Sequence, residues 1–207
     1  MKTEDYIADI TQWEWAMFQA VNEGHDKASC QNDSTTFFIM RESQFQTWDK
    51  ESLAAYRQDL MDAKAQDRNL LTEKYAYMMV RADPQLQQSF SRILPEVSLE
   101  KKILIRQICQ LHLEWDRQCR EMYPLMTRGT RPMEMSMERN GVVSTQRYLE
   151  GELCTYSEAT LQACLRHAIA AKEAGRNLCE EILDHTMEHY GFGSAAEYEG
   201  FVRASVL

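Results

Sequence analysis

Arg41 and Gln44 stand three residues apart in "FFIMRESQF", so a helix through them sets a planar guanidinium and an amide on one face, a pair suited to a carboxylate or phosphate. Arg131, with Arg128 before it, would complete an anion pocket from the stretch "PLMTRGTRPMEMSMERNGVVS". Alternatively, these arginines pin loops to acidic helices. Cys30 and Gln31 share a polar loop with His25, which admits a thiol nucleophile and a base, but the spacing does not orient one on the other. Glu181, His185 and His189 recur at four-residue steps, where imidazoles can chelate zinc, with His112 and Glu114 as further ligands. The positions matching the two histidines earlier in the chain hold Tyr77 and Arg81, and the Glu-x-x-His pair of di-iron bundles is missing, so a solvated or core-edge histidine face without a metal is expected.

The elements that must carry these residues are helices. The chain has 207 residues, 44% of them hydrophobic, with only 8 glycines and 4 prolines, a composition that favours long helices over a turn-rich sheet protein. Residues 42–79 align without a gap on 150–187, 108 positions later, with 11 of 38 pairs identical. The pairs include the run Arg68, Asn69, Leu70 with Arg176, Asn177, Leu178, followed by Glu73 with Glu181. Asp49 and Ser157 precede the matched helical runs as N-caps, Gly175 suits a left-handed helix terminus, and Asn177 with Glu180 reads as a fresh cap. Glu73 and Glu181 are expected to anchor their turns by accepting from Arg68 and Arg176 or from a backbone amide, with paired-carboxylate chemistry as the alternative.

Upstream, "WEWAMF" matches "LEWDRQ" at an offset of 100, whereas the apolar stripes Tyr6, Ile10, Trp13, Met17, Val21 and Leu104, Ile108, Leu111, Trp115, Cys119 align at 98. Downstream, "DPQLQQSFSRIL" and "SAAEYEGFVRAS" each begin with a capping residue. Each half should run long helix, loop, short helix, helix pair, closing helix. The expectation is an all-α, single pseudo-twofold helical domain spanning 1–207, an internal duplication of a multi-helix unit with repeats at about 1–95 and 98–207, joined through Pro95–Ser98.

The net charge of -9 disfavours nucleic acid and anionic membrane surfaces. The acidic start lacks a secretory leader, no apolar run has membrane-spanning length, and the six cysteines have no CxxC spacing, so a cytoplasmic protein with free thiols is expected.

Taken in order, "ASCQND", "TFF", "SQF", "RNLLTEKYA", "RYL", "GEL", "TYS" and "GRNL" resemble the bacterial family catalogued as domain of unknown function four-one-two-five, over nearly the whole chain. The resemblance implies the same all-helical fold and lends no activity. It also implies at most a partner, since family members can be joined to a nucleotidyltransferase-like domain that this chain lacks. Two functions follow from the residues. One is a small anionic molecule bound, or acted on, in a polar pocket between the repeats, built from Asn22, Cys30, Gln31, Arg41, Gln44, Arg131, Tyr148 and Glu152. The alternative is a protein interaction module, an accessory to a nucleotidyltransferase-like enzyme, with the Met-rich loop meeting its partner. Catalytic residues and cofactors are not specified by either.

Overall fold

The computed structural model describes residues 1–21, 29–82, 94–139 and 141–206. Among them the regular structure is helical: α1 (Thr3–Gln19), α2 (Ser34–Gln46), α3 (Lys50–Ala65), α4 (Leu70–Ala82), α5 (Leu99–Met122), α6 (Thr145–Thr155), α7 (Glu158–Glu173), α8 (Leu178–His189) and α9 (Ala195–Val206), with short 3-10 turns at Ser29–Asn32 and Met135–Met137. No strand occurs among the described residues. None of the helices is long and apolar enough to cross a membrane.

Local chemistry sets these boundaries. The carboxylate of Asp49 accepts from the Ser52 amide at 2.8 Å to start α3, and Ser157 accepts from the Thr160 amide at 3.2 Å to start α7. After each of these helices the chain turns through a left-handed residue, Asp67 with φ 55° and Gly175 with φ 72°. The turn is closed the same way in both places. Arg68 clamps Glu73 through Nε and Nη2 at 2.8 and 2.7 Å, and Arg176 clamps Glu181 at the same distances. Asn69 and Asn177 cap α4 and α8, their side-chain oxygens each accepting from an amide three residues on at 3.0 Å. Their amide groups reach back to the long helices, Asn69 to the Met17 carbonyl at 2.8 Å and Asn177 to the Trp115 carbonyl at 3.3 Å. The two carbonyls reached are 98 residues apart, the same spacing as the apolar stripes.

The two long helices each gather three of the others. α1 lies against α2, α3 and α4, and α5 lies against α6, α7 and α8, while α4 crosses to α6, α2 crosses to α8, and α3 meets α7. One core cluster draws Ile10, Phe45, Leu53, Tyr56, Leu60, Ile105, Ile108, Leu153 and Leu161 from six of these helices and Tyr156 from the turn after α6. α9 packs on α8. The stretch between α5 and α6 is fastened at both ends. Glu199 of α9 accepts from the Leu125 and Met126 amides, and Glu138 takes Arg147 on two nitrogens and Ser144 on its amide and hydroxyl. The "DPQLQQSFSRIL" segment lies almost wholly outside the described residues.

Candidate functional site

Glu14 sits in the middle of the buried face of α1, fully enclosed. Such a carboxylate requires partners, because removing it from water without compensation is costly. Arg41 of α2 supplies them, with Nε on Oε2 and Nη2 on Oε1, both at 2.6 Å, and the Tyr56 hydroxyl donates to Oε1 at 2.7 Å. The same guanidinium reaches Glu152 of α6 through Nη1 and Nη2 at 3.1 Å. Lys74 of α4 closes the network on the far oxygen of Glu152 at 2.5 Å, and Tyr156 donates to the near one at 2.8 Å. Two carboxylates and two cations thus balance one another in the interior.

Arg41, Lys74 and Glu152 keep their charges in the interior because of their neighbours. Burial alone would protonate Glu152, but Arg41 and Lys74 hold its carboxyl well below the usual carboxylate range. Burial works against the charge on Lys74, and Glu152 beside it raises its pKa instead. Burial opposes the Arg41 charge too, and the two carboxylates overcome it. Glu152 is therefore a fixed anion at neutral pH, unsuited to general acid or base work there.

Beside this network lies a cavity of about 380 Å³, bounded by α2, α5, α6, α7 and α8 and by the α5–α6 stretch. Trp48, Leu149, Tyr148, Tyr156 and Ile182 form much of its wall, Gln44, His112 and Glu152 add polar groups, and Arg120, Thr130 and Arg131 also line it. His112 keeps an accessible edge although it lies deep in the protein, because that edge borders the cavity. Burial pushes its pKa down to about 4, so the imidazole is neutral at pH 7. The thiols on the wall are not activated: burial raises Cys119 and Cys164 to about 12, and Cys179 well above its ordinary value. The cavity offers hydrogen-bonding groups in an apolar shell without a thiolate nucleophile.

The registers at 98 and 108 residues relate network and cavity position by position. Glu14, Arg41, Tyr56 and Lys74 correspond to His112, Leu149, Cys164 and Ile182, and all four of the latter line the cavity. Where the first half packs long charged side chains and a tyrosine, the second half packs an imidazole, a thiol and two aliphatic groups.

Of the residues singled out from sequence, Arg41, Gln44, Tyr148 and Glu152 come together. Gln44 accepts from Arg41 Nη1 at 2.8 Å, and the Tyr148 ring carries Lys74 Nζ at 3.6 Å and the Arg131 guanidinium at 5.2 Å from its centroid. Arg41 is engaged on all three nitrogens by protein groups, so it forms a foundation beneath the cavity. Gln31 stands elsewhere, its amide donating to the Phe18 and Val21 carbonyls at 2.7 and 3.0 Å. Asn22 and the Cys30 side chain lie outside the described residues. Arg128 is exposed and apart from the cavity wall. His185 pairs with Glu188 at 3.1 Å and Glu181 with Arg176, and no metal-holding cluster occurs among the described residues. The wall is more apolar than the sequence suggested, because polar loop residues are tied to backbone while α5 and α8 contribute aliphatic faces. Glu14 and Lys74 escaped notice as site residues, and His112 was considered only as a further zinc ligand. Their signal was the exchange of Glu14 for His112 and of Lys74 for Ile182 between matched positions.

The family model described as "Protein of unknown function (DUF4125)" matches residues 4–200. The chain belongs to this family. No curated protein and no solved structure matches it.

Proposed function

We propose that this protein binds a small molecule in the cavity between α2, α5, α6, α7 and α8, and that the helical repeats arose by duplication within one domain, the second repeat having lost the side chains that fill the first. The observation that carries the proposal is the exchange just described: a balanced ion network on one side, a cavity of about 380 Å³ with a neutral imidazole on the other. That volume falls within the range of small-molecule sites, as does a mostly apolar lining with a few convergent polar groups. The matched Asn69 and Asn177 contacts and the paired packing of α4 on α6 and α2 on α8 support the duplication. Gln44, Tyr148, Arg131 and Glu152 surround the ligand, with Arg41 holding Glu152 in place. Binding without chemistry is favoured, because Glu152 stays ionised and the cavity thiols stay protonated.

The test is native mass spectrometry on protein purified without a metal-affinity step, set against the denatured mass. A bound mass on the wild type that is missing from Leu149→Trp, with both folded by circular dichroism, is the expected result. A bare wild type that gains no thermal stability from a library of small anions and heterocycles overturns it. That outcome favours a protein partner, for which Leu99 and Ile103, 68% and 53% exposed on one face of α5, are the specific support.

A further inference from the structure

Resting on the cavity being a ligand site, we infer that its ligand has an uncharged nitrogen heteroaromatic head seated against Gln44 and His112, and an anionic tail that ends at Arg131. The head is uncharged because each charge of the network has an uncharged residue at its corresponding position on the cavity wall. His112 stands for Glu14, Leu149 for Arg41, Ile182 for Lys74, and Gln44 itself stands for Glu152. The one carboxylate that reaches the wall from the network, Glu152, is already held by Arg41, Lys74, Tyr156 and Gln44. Among the described residues the other carboxylate on the wall, Asp116, is paired with Arg120 through Oδ1 at 3.0 Å and leaves Oδ2 without a hydrogen-bond partner, so a cationic head would have to compete with Arg120 for it, and burying that charge would be costly.

The head must also hydrogen-bond. Among the described residues His112 has only the Cys179 thiol near Nδ1, at 3.8 Å, and no hydrogen-bond partner at Nε2. A neutral imidazole presents one donor and one acceptor nitrogen. The Gln44 side-chain amide donates to Glu152 at 3.4 Å, a long contact, and has a second N–H to offer. An N–H group on a flat ring answers the imidazole acceptor, and a ring nitrogen or carbonyl answers the amide. Flatness follows from the wall, where Trp48, Tyr148 and Tyr156 supply aromatic surface.

The tail is fixed by the other end. Arg131 is exposed, and among the described residues its guanidinium makes one hydrogen bond, to the Val143 carbonyl at 3.4 Å, so it keeps most of its donors. Arg120 beside it is paired with Asp116 at 3.0 Å. An anion on the ligand therefore meets Arg131 with geometry suited to two parallel hydrogen bonds.

Calorimetric titration of the full chain at neutral pH with three probes separates the parts. Indole-3-acetate has the N–H head and the anionic tail, 1-naphthaleneacetate keeps the tail without the N–H, and tryptamine keeps the head with a cationic tail. Indole-3-acetate should bind at least about tenfold more tightly than either, a difference of about 1.4 kcal/mol. Arg131→Gln should remove the preference over tryptamine, and His112→Leu the preference over 1-naphthaleneacetate, while His112→Gln retains part of it. Equal binding of all three, or a preference for 1-naphthaleneacetate, blocked by Leu149→Trp, overturns the ligand class and leaves the cavity a binding site. If no probe binds while native mass spectrometry finds a molecule that Leu149→Trp excludes, again only the class falls. If no probe binds and no bound mass is found, both fall together.

Discussion

Gln44 and Glu152, 108 residues apart and at matched positions of α2 and α6, meet side chain to side chain at 3.4 Å, with Arg41 bonded to both. Trp48 and Tyr156, matched in the same register, pack one turn further along with ring centroids 6.1 Å apart. At this seam the two halves differ by one charge. Around Glu152 lie cations, and around Gln44 lies the cavity.

Removing one member of the network leaves the others uncompensated. Arg41→Ala leaves Glu14 and Glu152 facing each other without their shared cation, and Lys74→Met strips Glu152 of its closest partner. Each is expected to cost about 3–5 kcal/mol, read from the midpoint of urea unfolding. A change below about 1 kcal/mol in either would mean that the network contributes nothing to the folded state. Glu152→Gln combined with Lys74→Met removes one charge of each sign, and should cost less than the sum of the single changes.

Acid should destabilise the protein by two routes with the same sign. Glu152 has its folded pKa depressed, so its contribution is present above the ordinary carboxylate value of 4.5 and is lost as pH falls through the folded one. His112 is held at about 4 against an ordinary 6.5, so between these pH values the unfolded chain takes up a proton that the folded chain refuses. Stability therefore falls as pH drops from 6.5 to 4, by an amount on the order of 2–3 kcal/mol for His112 alone. Unfolding midpoints measured across that range should lose most of this slope in His112→Gln. A slope unchanged by the substitution would place its source in another group.

The two left-handed turn residues predict opposite effects. Gly175 occupies φ 72° without penalty, whereas Asp67 sits at φ 55° with a Cβ attached. Asp67→Gly should hold or raise stability by up to about 1 kcal/mol, and Gly175→Ala should lower it by about 1 kcal/mol. Thermal melts of the two variants, compared with wild type, are sufficient to show the contrast.

The caps, the turns and the pairing of Arg68 with Glu73 were legible in the sequence because they are local: an N-cap needs a side chain within three residues of a free amide. The family likeness was legible for the same reason, being carried by short motifs. The charge network was not. Glu14 lies between Trp13 and Trp15, and an acid in an apolar stripe cannot be assigned inward until the arginine that meets it, 27 residues on in another helix, is known. The cavity was harder still, since a cavity is set by side chains too short to meet. Cys164 and Leu149 become informative only when set against Tyr56 and Arg41. The sequence grouped Arg131 with Tyr148 in one pocket but not the path between them, which runs through the fastening of Glu138 to Arg147 and Ser144.

Gly151 gives the sharpest test of how α4 and α6 are set against each other. A Cβ added there would stand 2.5 Å from Met78 Cγ and 3.1 Å from the Lys74 carbonyl oxygen. The methionine is flexible and can turn aside, but the carbonyl belongs to the helix that delivers Lys74 to Glu152. Gly151→Ala therefore gains helix propensity of about 1 kcal/mol and loses the close approach, with overpacking of about 1–3 kcal/mol deciding the sign. The expected result is a net loss of stability that Met78→Ala reduces in the double variant, because the side chain then no longer obstructs the new methyl group. If Gly151→Ala is stabilising, the two helices lie further apart than these distances state, and the hold of Lys74 on Glu152 is correspondingly looser.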